Sequence, residues 1–249
     1  MNNLKEKLLK EENIGIHGWD FSYIEGKYEQ EEIPWDYKEI VCSYLNQELK
    51  ILDMDTGGGE FLLSLNHPYQ NTSAIESYQP NVELCKEKLL PLGIHFKEYH
   101  DIQQLPFDDE SFDLIINRHG SYDVNEIKRC LKKDGIFITQ QVGEDNDYDL
   151  VQMVLPNSSK SFPGMNLDEQ VFKFKEKDFE IIDKQEFYGT IKFYDICAFV
   201  WFASIIKWEF VNFSVEKCFD ELLKVNKMIE NNGYIEGEIH RYLIVAKKM

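Results

Sequence analysis

The sequence predicts an α/β fold wound around a mostly parallel sheet, on three observations. Short apolar runs alternate with helical patterns between residues 50 and 143. A glycine-rich turn, Gly57-Gly58-Gly59, follows the first of those runs. And 43% hydrophobic residues, with 14% aromatics over 249 residues, supply ample material for a core. Strands and helices alternating at this interval pair in parallel through right-handed crossovers, and the crossover helices cover both faces of the sheet.

The elements follow in order. Lys50 to Asp55 reads as a buried strand, Gly59 to His67 as a short helix and Ser73 to Glu76 as a second strand. Asn81 to Leu90 carries Val82, Leu84, Cys85 and Leu89 near helical spacing, and Pro91 with Gly93 stops it. Ile94 to Tyr99 and Phe112 to Ile116 make the third and fourth strands. Asp123 to Lys132 is a helix ended by Asp134-Gly135, and Ile136 to Thr139 is the fifth strand. Beyond Gly143 the pattern loosens. Helices are expected over Asp147 to Leu155 and Leu167 to Asp178, with a loop at 157–166 between them. A long strand region from Glu180 to Tyr194 leads into an apolar segment, Ile196 to Ile206. A helix from Ser214 to Asn231 and a last strand from Gly237 to Lys247 close the chain. One domain over 1–249 is the simplest reading, with a helical cap (1–49), a core (50–143) and an elaborated C-terminal half (144–249).

Charge removes several functions. Against 45 acidic residues stand 27 basic ones, a net charge of −18. Such a chain repels phosphate backbones unless its bases are concentrated, and the lysines are scattered with only Arg118, Arg129 and Arg241 as arginines. The charge argues against a general nucleic-acid binder but does not exclude a local RNA site. The 11-residue run Ile196 to Ile206 falls short of the roughly 20 residues that span a bilayer, so a buried or lid helix is expected there and no membrane partner. Met1 to Glu12 lacks the apolar stretch of a secretory signal. Five dispersed cysteines form no CxxC pair, which fits a reducing cytoplasm, buried structural thiols and no metal site. The acidic run Glu144 to Asp149 reads as solvated surface.

The glycine turn narrows the ligand. Glycines there let the backbone turn sharply and let a ligand approach main-chain atoms outside the strand ends. A nicotinamide fingerprint would place a third small residue at position 62, where Leu62 stands, and no GK[ST] follows. Asp53, Asp55 and Glu60 make the loop acidic. A pyrophosphate at the helix N-terminus would meet those carboxylates; a cofactor with a positive centre and no phosphate would not.

From here the sequence resembles the class I S-adenosylmethionine-dependent methyltransferases, over roughly residues 50–143. The loop Asp53-Met54-Asp55-Thr56-Gly57-Gly58-Gly59 is similar to the family's acid-x-Gly-x-Gly-x-Gly motif, with Asp55 where the first glycine belongs. Leu105-Pro106-Phe107 through Ser111-Phe112-Asp113 and Leu131-Lys132-Lys133-Asp134-Gly135 resemble two further family segments. The resemblance implies a Rossmann-like, doubly wound, seven-stranded sheet with an antiparallel last strand. It implies S-adenosylmethionine as cofactor and S-adenosylhomocysteine as product, held by Asp53, Asp55, Thr56, Gly57, Gly59, Glu76, Ser77, Asp101, Ile102, Asn117 and Arg118. In this reading Glu76 takes the ribose hydroxyls, and Asp101 with Ile102 take the adenine.

Methyl transfer needs mainly a positioned acceptor, with a base where that acceptor carries a proton. The loop Asn117 to Asp123 is the place to look, with His119 as candidate base. It does not resemble the Asn/Asp-Pro-Pro-Tyr motif of exocyclic amino methyltransferases. Trp19, Trp35, Tyr122, Tyr188 and Trp201 are candidates for the substrate side, with a lid insertion at about 195–234. As a set they point to an apolar or aromatic small molecule. The other readings are an rRNA or tRNA base methyltransferase and a non-catalytic, cofactor-binding relative.

Overall fold

The computed structural model describes residues 2–16 and 20–249. Its strands are β1 (Tyr28–Gln30), β2 (Ile51–Met54), β3 (Thr72–Glu76), β4 (His95–Glu98), β5 (Phe112–Arg118), β6 (Leu131–Val142), β7 (Phe179–Phe193) and β8 (Ile235–Lys248). Its α-helices are α1 (Asn2–Glu12), α2 (Tyr37–Tyr44), α3 (Glu60–Ser64), α4 (Gln79–Lys88), α5 (Val124–Cys130), α6 (Tyr148–Val154), α7 (Leu167–Glu176), α8 (Ile196–Ile205) and α9 (Val215–Asn232). The strand order is β1-β7-β8-β6-β5-β2-β3-β4. From β4 through β3, β2 and β5 to β6 every pairing is parallel, and β8 runs antiparallel to β6.

Among the described residues eight strands stand where seven were expected. The extra one, β1, pairs antiparallel with the end of β7, Tyr28 opposite Phe193. Three residues, Tyr-Glu-Gln, are too few to show a period. Helix α2 falls within the expected helical cap; the Asp36 carboxylate caps it by accepting from the Lys38 and Glu39 amides at 2.7 and 3.0 Å. The turn expected at Asp134-Gly135 lies inside β6, as a register shift against β5 with Asp134 at φ 64°.

The chain forms two compact units. The glycine-loop unit comprises 34–142, 165–186 and 241–249. Its β2 and β3 are buried at every residue, the pattern of parallel strands covered on both faces. Leu52, Met54, Ile115, Phe137, Phe174 and Tyr242 lie at its centre.

The other unit comprises 1–33, 143–164 and 187–240 and is built around α8. Nine consecutive residues of that helix, Ile196 to Ser204, are buried. A helix apolar on every side has no face to offer water, so it sits inside. The Asp195 carboxylate caps it, accepting from the Cys197 and Ala198 amides at 2.8 and 3.0 Å. Phe193, Phe199, Trp201, Phe210 and Leu222 pack there. This unit also corrects the reading of 144–149 as solvated surface. Asn146 and Asp147 are buried, and the Asn146 amide nitrogen donates to Asp147 and to Glu209, each at 2.9 Å. Cys42 is exposed, whereas the other four cysteines are buried as expected. Among the described residues no helix is long and apolar enough to cross a membrane.

Candidate functional site

The C-terminal ends of β2, β3, β4 and β5 converge on the glycine turn. Asp55, Gly57 and Gly59 take φ values of 53°, 63° and 82°, so alternate residues of the turn are left-handed. Asp55 thus adopts the backbone that a glycine would supply, a geometry aspartate tolerates better than most residues. Gly59 precedes α3, and a Cβ there would run into the Leu89 side chain. A Cβ on Gly57 would meet nothing within 4 Å, so this stretch of main chain faces open space.

Glu76 ends β3 and is buried. One carboxylate oxygen accepts from the Gly57 amide at 2.9 Å; the other accepts from the Ser77 and Tyr78 amides at 2.8 and 2.9 Å. It therefore ties the glycine turn to the end of β3. Asp53 accepts from the Thr56 hydroxyl at 2.6 Å. Burial pushes its carboxyl up to about 7, against the opposing Thr56 hydrogen bond and Arg118 charge. The Asp55 carboxylate accepts from the Tyr99 hydroxyl at 2.7 Å, and the nearby Ser121 backbone amide favours its charged form. Burial pushes it up to about 6. Ser77 is exposed, with its hydroxyl against that of Tyr99. Beyond β4, exposed Asp101 accepts from the Gln103 amide at 2.8 Å, and Ile102 is half-buried against the core. Glu60 does not join the acidic set; it pairs with Lys88 at 2.6 Å.

A buried polar layer supports the loop after β5. Asn117 is fully buried; its side-chain oxygen accepts from Gln141 and from the Thr139 hydroxyl. Gln141 also donates to the Gly120 carbonyl at 3.0 Å. The Tyr37 hydroxyl donates to the Asn117 carbonyl at 3.1 Å. Trp35 is buried, and its indole nitrogen donates to Gln140 Oε1 at 2.9 Å. That bond turns Gln140 Nε2 toward His119 Nε2, 3.2 Å away. The amide donates, so His119 Nε2 accepts and the ring proton resides on Nδ1. His119 has φ 63°. Desolvation of its ring, then the charges of Arg241 and Arg118, hold its pKa below the ordinary range, so the imidazole is neutral at pH 7. The residue as a whole is exposed, and solvent tempers that shift without reversing it. The Arg118 guanidinium is also exposed and lies 4.6 Å from the Phe61 ring centre.

The same loop borders a groove of about 400 Å³ lined by Gly120, Ser121, Tyr122, Met165, Gln170 and Lys173. The Tyr122 hydroxyl donates to Gln170 Oε1 at 3.1 Å. A groove of about 480 Å³ lies beside Arg129, but that guanidinium is committed to Glu126 and Asp109 at 2.7 and 2.9 Å.

Of the aromatic candidates, Tyr122 lines the groove and Trp35 braces Gln140. Tyr188 is exposed in the α8 unit and stacks on His240 at 4.2 Å. Trp201 is 1% exposed, within that unit's core. Trp19 lies outside the described residues. Tyr37, Tyr99, Gln140 and Gln141 were not anticipated. A Thr-Gln-Gln run ending an otherwise apolar strand was the available signal.

Residues 52–139 match the family described as the methyltransferase domain. The match runs from β2 into β6, the stretch that carries the glycine turn, and over that stretch the chain is similar to the class I S-adenosylmethionine-dependent methyltransferases. Over 98 residues it is 31% identical to the phthiotriol/phenolphthiotriol dimycocerosates methyltransferase of Mycobacterium tuberculosis, covering 36% of this chain and 36% of that enzyme. Over 147 residues it is 26% identical to the sterol 4-C-methyltransferase of Caenorhabditis elegans, covering 53% of this chain and 44% of that enzyme. The matches thus span less than half the length of these curated relatives. A structure from Bacillus halodurans described as a methyltransferase superposes with a TM-score of 0.59 at 17% identity, covering 86% of this chain and 98% of that one. At that identity the likeness establishes the Rossmann-like fold.

Proposed function

We propose that the chain transfers a methyl group from S-adenosylmethionine to a small-molecule acceptor by in-line displacement. One observation carries this reading. A left-handed glycine turn presents open main chain at Gly57 and is tied to the buried Glu76 at the ends of parallel strands. The residues fit the cofactor. Gly57 and Gly59 leave the turn free of side chains, and Asp53, Asp55 and Glu76 make the cleft negative, which suits a sulfonium and an ammonium and repels a pyrophosphate. The cofactor, when bound, supplies an activated methyl carbon.

The protein's part is placement. Glu76 keeps its carboxylate at the end of β3 for the ribose hydroxyls, while Ser77, Asp101 and Ile102 border the base. Arg118, with no carboxylate within ion-pair distance among the described residues, is available to the methionine carboxylate. The acceptor lodges in the groove of Tyr122, Met165 and Gln170, since Gly120 and Ser121 belong both to that groove and to the surroundings of Asp55. The names of the curated relatives, phthiotriol and sterol methyltransferases, support an acceptor with a large apolar part. His119, neutral and braced by Gln140, is suited to orient a polar group through Nδ1. Its depressed pKa makes it a weak base.

Calorimetry with S-adenosylhomocysteine tests the reading. Binding is expected with one site per chain, and no heat at millimolar ligand would overturn it. Transfer of a labelled methyl group to sterol-like acceptors, and none to tRNA or rRNA, would set the small-molecule reading above the RNA one.

A further inference from the structure

In the glycine turn a carboxylate stands where the fold asks only for a hydrogen. Asp55 takes a left-handed φ of 53°, a conformation that carries a cost for any residue with a Cβ. Its side chain is nevertheless held in place from two other strand ends. Tyr99, after β4, donates its hydroxyl at 2.7 Å, and the Ser121 amide, after β5, lies close enough to favour its charge. Gly120 gives it room, for a Cβ at Gly120 would overlap the Asp55 carboxylate. Three separate segments thus hold one negative charge in the cleft.

We propose that Asp55 discriminates between the cofactor and its product, favouring the sulfonium of S-adenosylmethionine over the neutral thioether of S-adenosylhomocysteine. The proposal rests on the methyltransferase reading above. The two ligands differ by one methyl group and one positive charge, and share the ammonium, the carboxylate and the adenosine. A fixed carboxylate in that cleft attracts the ammonium of both ligands but the sulfonium of one only, so the charge on sulfur is what separates them. Once the methyl group has left, the attraction to the sulfur vanishes and the product is released more readily.

The groups facing Asp55 set when that charge is present. The carboxylate of Glu76 disfavours it, as does burial; Tyr99 and the Ser121 amide favour it. Asp53 lies in the same turn and is itself relieved by Arg118. The balance leaves Asp55 with a pKa of about 6. Below that pH the group is neutral and indifferent to the sulfur; above it the carboxylate prefers the cation.

The test is calorimetry on the full chain with both ligands at about pH 5 and about pH 8. In the wild type the preference for S-adenosylmethionine should grow about tenfold from the lower to the higher pH, the size expected for one partly screened charge pair. In Asp55→Asn the growth should be clearly smaller, limited to what buried Asp53, whose carboxyl is pushed up to about 7, adds as it ionises in the same range. Asp55→Gly, which restores the family's residue, is the second variant should the first fold poorly, and should show the same reduced growth. Near pH 6, S-adenosylmethionine should release more protons from the wild type than the product does, seen as heats that vary with the ionisation enthalpy of the buffer. A preference that grows equally in the wild type and both variants would overturn the proposal. Failure of S-adenosylhomocysteine to bind at either pH would instead overturn the cofactor reading on which it stands.

Discussion

The two units solve opposite problems. The α8 unit hides a helix of almost unbroken apolarity, Ile196 to Ser204, among phenylalanines and aliphatic residues. The glycine-loop unit buries Asp53, Glu76, Asn117, Thr139, Gln140 and Gln141 at its strand ends. Apolar burial stabilises wherever it is placed, whereas buried polar groups cost free energy unless each has a partner. The α8 unit buries Asn146, Asp147 and Glu209 as well, bonded to one another, whereas the polar layer of the glycine-loop unit stands at strand ends beside an open turn. The contrast also bears on the expected lid: Trp201 and its neighbours are already enclosed as core, so a deletion of 195–234 removes the centre of a unit.

Truncation inside α8 sharpens this contrast most. Phe199→Ala should destabilise the protein by about 4 kcal/mol, as large-to-small changes of buried aromatics do. Denaturant unfolding measures this. The affinity of the folded fraction for S-adenosylhomocysteine should stay within about twofold; a loss of binding without loss of stability would erase the distinction between the units.

Asp53 gives the next effect, through pH. Its folded carboxyl, at about 7, lies above its unfolded value of 3.8, so the folded state holds the proton more tightly. That contribution is full below the unfolded value and is lost as pH rises toward the folded one. Asp53→Asn should therefore reduce the fall in stability between about pH 4.5 and about pH 7.5 by roughly 3 kcal/mol. Chemical denaturation at both pH values checks this, and an unchanged slope would mean that Asp53 is already ionised.

Glu76→Ala removes the acceptor of three backbone amides and the expected partner of the ribose. Affinity for S-adenosylhomocysteine should fall at least tenfold, equivalent to about 1.4 kcal/mol or more, with a smaller loss of thermal stability. A variant that binds as tightly as the wild type would remove Glu76 from the site. Gly57→Ala is the mildest change. Nothing blocks the added methyl, so only the left-handed backbone costs, about 1 kcal/mol; a much larger loss in thermal unfolding would reveal crowding that the open face does not show.

Legibility in the sequence followed the same division. From residue 50 to 143 every strand and helix is present near its expected position, because buried parallel strands leave unbroken apolar runs and glycines punctuate them. Past 143 the helices and long strands were also readable, but the burial of Asn146, Asp147 and Glu209 was not. A charged residue drawn inward by a distant partner leaves no periodic trace. The Trp35–Gln140–His119 chain joins positions up to 105 residues apart, and such pairings exist only once the strands are in order. Asp55 was visible as a departure from the motif, yet its bond to Tyr99 and its nearness to Ser121 were not.

The short strand β1 has a consequence for how the protein lives among its own copies. It covers only the last three residues of the fifteen-residue β7, with Glu31 bonding Thr190 just before them, so among the described strands the outer edge from Phe179 to Gly189 has no strand partner. Unpaired edges template fibrils and strand exchange. Here Glu180, Asp183, Lys184 and Glu186 punctuate that edge, and any chain adding to it would have to desolvate them. At a net charge of −18, a second copy approaching in solution also meets repulsion before it meets backbone. Concentrated solutions should accordingly stay clear at low salt and lose that protection as ionic strength rises.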